Sequence, residues 1–232
     1  MIDKPLLVVA AHPDDAEFTS GGSLARWAAE EWTVFLVVCT NGDKGSQNSN
    51  DDPATLSKAR RAEQEASARS LGIREVIWLD HPDGRLAQAI TLLEEQVTHL
   101  IRKYRPDRLL AWDAWRPYQL HPDHRAAGLT AMDAILAAGN PHFYPEQLRP
   151  PLDLQPHRVE EAYLYGTDQP DEWVDVTATF ERKMAAIECH QSQVASLRDL
   201  ALKMSHCNRD RGMGHGYTYA EAFKVLHPFC DT

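Results

Sequence analysis

The chain has 232 residues, 43% hydrophobic and 25% charged, the mixture of a globular protein long enough to bury a core without disulfides or structural metals. Its 24 Lys and Arg against 34 Asp and Glu give a formal charge of −10, which excludes a phosphate-backbone binder, because that role needs a cationic face. No apolar run approaches the ~20 residues of a membrane span.

Residues 1–4 (MIDK) show neither a basic region nor a signal-length apolar stretch. The four cysteines, Cys39, Cys189, Cys207 and Cys230, have no CxxC pairing, so a reduced, cytoplasmic protein is expected. Residues 6–11 (LLVVAA) read as a buried strand, 22–31 as a helix and 33–39 (TVFLVVC) as a second buried strand. A helix over 57–71 stops at Gly72; 75–79 is a third strand, 87–104 a helix and 108–112 a fourth strand. Residues 122–138 read as a helix with Pro122 in its first turn, where a missing N–H costs little. Strands apolar on both faces, alternating with helices, predict a doubly wound, Rossmann-like α/β fold: a mainly parallel sheet with helices on both faces.

Beyond residue 138 the pattern loosens. Residues 139–156 carry five prolines and predict a loop, either packed at a subunit interface or lining a pocket. Short strands are expected at 161–165 and 173–176, helices at 180–191 and 195–208, and a last short helix at 218–225. The glycine-rich 211–216 reads as a mobile loop near a site entrance. No repeat or linker divides the chain, so one domain over 1–232 is expected, with 1–138 as the α/β core and 139–232 completing it.

In a doubly wound sheet, ligands bind beyond the carboxyl ends of the strands. The glycine-rich turn of a dinucleotide binder is missing after the first strand; its place is taken by Ala11-His12-Pro13-Asp14-Asp15-Ala16-Glu17. Adjacent carboxylates repel phosphate and attract cations. After the fourth strand comes His121-Pro122-Asp123-His124. Either cluster alone is a turn or a helix start; two of them at one sheet edge predict a metal centre. Two histidines, a carboxylate and an open position describe catalytic zinc, and the same donors suit Fe(II).

Together, AHPDDAE (11–17) and HPDH (121–124) resemble the PIG-L/LmbE-type family of zinc-dependent N-deacetylases. Weaker matches run through the chain: Gly21-Gly22, residues 40–45 (TNGDKG), Arg60-Arg61-Ala62-Glu63, Pro82-Asp83-Gly84, residues 190–193 (HQSQ) and residues 219–223 (YAEAF). The resemblance implies that His12, Asp15 and His124 bind zinc and that Asp14 is the general base. It also implies that His121 faces the oxyanion, with Asp123 holding its ring, and that Arg60 supports the site and the acyl group. The implied reaction is removal of an acetyl group from an N-acetylglucosaminyl-type amino sugar, a small-molecule partner. Alternatives are an amidase acting on thiol-conjugates at the same glucosaminyl amide and a metal-dependent sugar-binding module without turnover. A homo-oligomer is compatible with the sequence.

Asp83 follows the third strand at the expected edge and is a candidate substrate-binding residue, although Pro-Asp-Gly is also a common turn. Trp115 and Tyr118 are candidate sugar contacts, whereas Trp112 at a strand end reads as core. Glu17 is expected behind the site. His190 beside Cys189 does not form a nucleophile pair, because adjacent helix positions do not share a face.

Overall fold

The computed structural model describes residues 4–195 and 197–229. The reading of the N-terminus at residues 1–3 and of Cys230 lies outside them; Cys39, Cys189 and Cys207 are free thiols. Four strands begin the parallel part of the sheet: β1 (Lys4–Ala10), β2 (Trp32–Thr40), β3 (Glu75–His81) and β4 (Arg108–Trp112). β5 (Glu161–Tyr165) extends it in parallel beside β4, and β7 (Ala220–Leu226) then joins β5 to β6 (Glu172–Asp175) with antiparallel pairing. The seven-stranded order is β3-β2-β1-β4-β5-β7-β6, so the expected mainly parallel α/β class holds.

The direction of winding reverses at β1, which pairs with β2 on one side and β4 on the other. Helices α1 (Asp15–Ala29), α2 (Pro53–Leu71) and α5 (Phe180–Glu188) pack together, and α3 (Ile90–Tyr104) packs on α4 (Pro122–Gly139). β1 is fully buried from Leu6 to Val9, as expected for a strand covered on both faces. The chain therefore leaves β1 and β4 side by side at a switch point, the position where this architecture binds ligands.

Several elements depart from the sequence reading. α1 begins at Asp15, seven residues before the expected start; its first turn is favoured by Asp15 and Glu17 at the positive end of the helix dipole. Gly21 and Gly22 serve close packing in mid-helix: a Cβ on Gly22 would stand 2.7 Å from Val176 Cβ. The helix expected at 87–104 is a 3₁₀ turn, Leu86–Gln88, followed by α3. The helix expected at 180–191 breaks at His190 into α5 and the short α6 (Gln191–Val194), and α7 (Leu200–Gly212) lies downstream of the expected 195–208.

The largest correction is the expected last helix, which is strand β7. Its place between β5 and β6 supplies two hydrogen-bonding partners, and this context overrides weak local propensity. The segment 139–156 lies at the opposite end of α4 from the site and folds around Arg102. The glycine-rich 211–216 ends α7 and turns His215 onto Trp173 of β6, ring centroids 3.9 Å apart, instead of lining the site.

Candidate active site

The loop after β1 turns sharply into α1. His12 donates its backbone N–H to Asp15 Oδ2 at 2.9 Å, while Asp14 caps the helix with φ 96°, in the left-handed region. The loop after β4 ends where His121 caps α4 and Pro122 occupies its first turn. Both loops contribute to a pocket of about 450 Å³, which Lys44, Arg60, Asp83 and Gln193 also line.

His12, Asp15 and His124 converge. Asp15 Oδ2 lies 3.6 Å from His12 Nδ1, and Asp15 Oδ1 lies 3.3 Å from His124 Nε2. The other His12 nitrogen, Nε2, stands 3.2 Å from Asp83 Oδ1 and 3.3 Å from Asp123 Oδ2. Ring nitrogens of His12, His121 and His124 lie within 4.8 Å of one another. Burial lowers the proton affinity of His12, but hydrogen bonds to Asp123, Asp15 and Asp83 outweigh it and push the pKa up to about 12. A buried histidine thus carries the positive charge that these carboxylates demand. Imidazoles and carboxylates gathered around such a demand fit a divalent cation of the zinc or Fe(II) kind.

Asp14 faces the other way. Arg60 Nη2 donates to its Oδ2 at 3.2 Å and to the Pro13 carbonyl at 2.6 Å, while Nη1 donates to the Gly42 carbonyl at 3.0 Å. Burial, reinforced by Asp15 and opposed by Arg60, raises the Asp14 pKa to about 7. Arg60 belongs to the site, but its guanidinium is engaged with the protein and grips Asp14.

Asp123 corrects the expected pairing. Its carboxylate accepts the Gly84 and Leu86 amides, at 2.6 and 3.1 Å, and lies against His12 instead of the His121 ring. What His121 receives is the Asp123 backbone N–H on Nδ1, at 3.3 Å. The cause is the helix start: an N-capping side chain binds the amide two positions on, and the Asp123 carboxylate turns to the amides after β3. Burial, with His12 and His124 nearby, holds His121 below the ordinary histidine pKa.

Asp83 lines the pocket, but its carboxylate is engaged with the protein: Oδ1 touches His12, and Oδ2 accepts the Lys44 amide at 3.2 Å. Trp115 and Tyr118 do not line this pocket. Tyr118 is 94% exposed, and Trp115 borders a neighbouring hollow with Asp113, Leu164 and Lys224. The loop is drawn away because Asp113 accepts the Trp115 amide and Arg116 pairs with Asp168.

Trp112 is buried, as its place at a strand end predicts, yet its indole stacks on His124 at 3.9 Å and donates to Asp15 Oδ2 at 3.0 Å. Its position at the end of β4 was the available signal. Lys44 and Gln193 lie inside the segments 40–45 and 190–193, and that resemblance is the only signal the sequence carries for them. Gln64 had no signal; it looks like one more polar residue on a charged helix.

The family model described as GlcNAc-PI de-N-acetylase, PIG-L, matches residues 7–135. The chain belongs to this family and is an enzyme of the deacetylase kind. It is 32% identical over 232 residues to the diacetylchitobiose deacetylase of Thermococcus kodakarensis, covering 96% of this chain and 83% of that one. It is 30% identical over 233 residues to a 1D-myo-inositol 2-acetamido-2-deoxy-alpha-D-glucopyranoside deacetylase of Saccharopolyspora erythraea, covering 82% of this chain and 83% of that one. A solved N,N'-diacetylchitobiose deacetylase from Pyrococcus horikoshii, in complex with an inhibitor, superposes with a TM-score of 0.92. The two sequences are 29% identical, and the match covers 100% of this chain and 86% of the other.

Proposed function

We propose that this chain is a zinc-type, metal-dependent N-deacetylase that hydrolyses the acetamide of an N-acetylglucosamine-type amino sugar. The observation that carries the reading is the convergence of His12, Asp15 and His124 beside Asp14 and His121 in one pocket at the switch point. Relatives named for diacetylchitobiose and for an inositol-linked acetamido sugar support the substrate class. An uncharged small-molecule sugar suits a chain of formal charge −10, and a cytoplasmic location suits its free thiols. Among the described residues, no helix is long and apolar enough to cross a membrane.

His12, Asp15 and His124 would hold the ion. When bound, such an ion polarises the acyl carbonyl and acidifies water. Asp14 is the proton acceptor: raised to about 7 and gripped by Arg60, it takes a proton from the attacking water at neutral pH. It keeps that proton for the departing amine, so the C–N bond breaks to give acetate and a free amino sugar. His121 donates toward the oxyanion. Because its Nδ1 accepts the Asp123 amide, the ring proton is assigned to Nε2, and the lowered pKa makes it a neutral donor. Asp123 and Asp83 orient His12, and Trp112 orients Asp15 and His124.

The test is free-amine release from a panel of N-acetylglucosaminides by metal-stripped protein, with and without added zinc. Zinc-restored release is expected. Binding of zinc and sugar without release across the panel would contradict a deacetylase, and no zinc binding would overturn the proposed centre.

A further inference from the structure

Helix α2 presents three buried side chains to the loop 12–17: Arg60, Gln64 and Ser67, spaced i, i+4 and i+7 on one face. Arg60 grips the Asp14 carboxylate. Gln64 makes a different pair of bonds. Its Oε1 accepts the Asp14 backbone N–H at 3.0 Å, and its Nε2 donates to Glu17 Oε1 at 2.6 Å. Ser67 Oγ donates to the same Glu17 oxygen at 2.7 Å. Glu17 is fully buried, and His190, also fully buried, stands 3.7 Å from its other oxygen. The far end of the bridge is therefore anchored in closed protein.

The loop needs such an anchor because of the backbone at Asp14. A φ of 96° is unfavourable for a residue with a Cβ and persists only where surroundings enforce it. This turn sends consecutive carboxylates to separate tasks, Asp15 to His12 and His124, Asp14 to Arg60. The bridge demands an acceptor toward Asp14 and a donor toward Glu17 at once. A carboxamide supplies both; an ionised carboxylate supplies only acceptors.

We infer that Gln64 is a positioning residue for the hydrolysis, holding Asp14 in the left-handed turn that separates the proton-accepting carboxylate from its metal-holding neighbour. The inference rests on the role proposed above for Asp14. Arg60 fixes where the carboxylate ends; Gln64 fixes the main chain from which it starts.

The test is a double-mutant cycle on zinc-loaded enzyme, with kcat, KM and bound zinc measured together. Gln64→Met fills a similar volume and removes both bonds. It is expected to lower kcat by about 10- to 100-fold, the cost of a small misplacement of a reacting group, while KM and zinc content stay unchanged. Combined with Asp14→Asn, the same change is expected to lower the residual kcat by less than about twofold, because the group it positions has already been removed. Equal losses in both backgrounds, or no loss in the first, would overturn the inference. If Gln64→Met does not fold, Ser67→Ala loosens only the anchor: a smaller kcat loss confined to the Asp14 background is expected, and no loss, or the same loss in both, would overturn it. Full turnover in Asp14→Asn alone would instead remove the Asp14 assignment, a result distinct from failure of the bridge.

Discussion

Two regions of the molecule bury charge, and they do so in opposite ways. At one end of α4, Arg102 is 1% exposed and forms no ion pair among the described residues; its guanidinium donates to the carbonyls of Ala137, Ala138, Asn140, Phe143 and Tyr144 and to Gln147 Oε1. These bonds close the C-terminus of the helix and gather the proline-rich segment into a fixed loop. At the other end of α4, Asp15, Asp83 and Asp123 crowd around His12, and Asp14 beside them turns to Arg60, with Arg60 and Lys44 as the cationic side chains of the pocket. Both regions contain a buried cation, but only the second leaves carboxylates whose charge it cannot offset. Saturated hydrogen bonding marks the structural cluster; excess negative charge facing a pocket marks the one made for a cation.

The comparison is sharpened first at Arg102. Arg102→Met leaves the buried carbonyls at the end of α4 without donors and is expected to destabilise by about 3 kcal/mol or more. Urea unfolding checks the loss, and kcat per folded molecule should be unchanged. The site should respond in the opposite sense. Because burial and Asp15 raise the Asp14 pKa to about 7, ionised Asp14 is held against its preference at pH 8. Asp14→Asn is therefore expected to raise the melting temperature of metal-free protein by a few degrees. A fall would mean that the Arg60 grip outweighs the crowding.

The pH dependence of metal-free protein follows with the same sign. A histidine raised from 6.5 to about 12, as His12 is, contributes stability that is full below pH 6.5 and is lost as pH rises toward 12. Asp14, raised from 3.8 to about 7, loses its contribution in the same direction between those values. Asp15, Asp83 and Asp123 are lowered, so their contribution holds above 3.8 and disappears as pH falls further. The melting temperature of metal-free protein should decline from about pH 6 to about pH 9, while the increment from added zinc grows, since binding requires deprotonated His12. A rise without zinc over that range would contradict the charge balance. The smallest effect is expected at Tyr118, where 94% exposure outside the pocket makes Tyr118→Ser change kcat/KM by less than about twofold.

What the sequence made legible was whatever repeats or clusters locally. Apolar runs at 6–11, 33–39 and 108–112 announced a sheet buried on both faces, and the paired motifs at 11–17 and 121–124 announced a cluster of histidines and carboxylates able to hold a metal. Elements specified by distant partners stayed hidden. β7 is a strand because β5 and β6 flank it, not because of its own residues. The Asp123 carboxylate binds amides brought in from residues 84 and 86, so the His121 partner that the resemblance implied is not the one it takes. Trp115 and Tyr118 were near the site in sequence, but the Arg116–Asp168 pair draws their loop aside. Gln64 differs from its surface neighbours only through what it touches in the loop 12–17.

The central claim is that Asp14 moves the proton while its neighbour Asp15 helps hold the metal. Its most direct test is kcat of Asp14→Asn, measured on the same sample as its bound zinc. The account expects stoichiometric zinc with kcat reduced by about 10²- to 10⁴-fold, the range for loss of a general base. Stoichiometric zinc with near-normal kcat would contradict it.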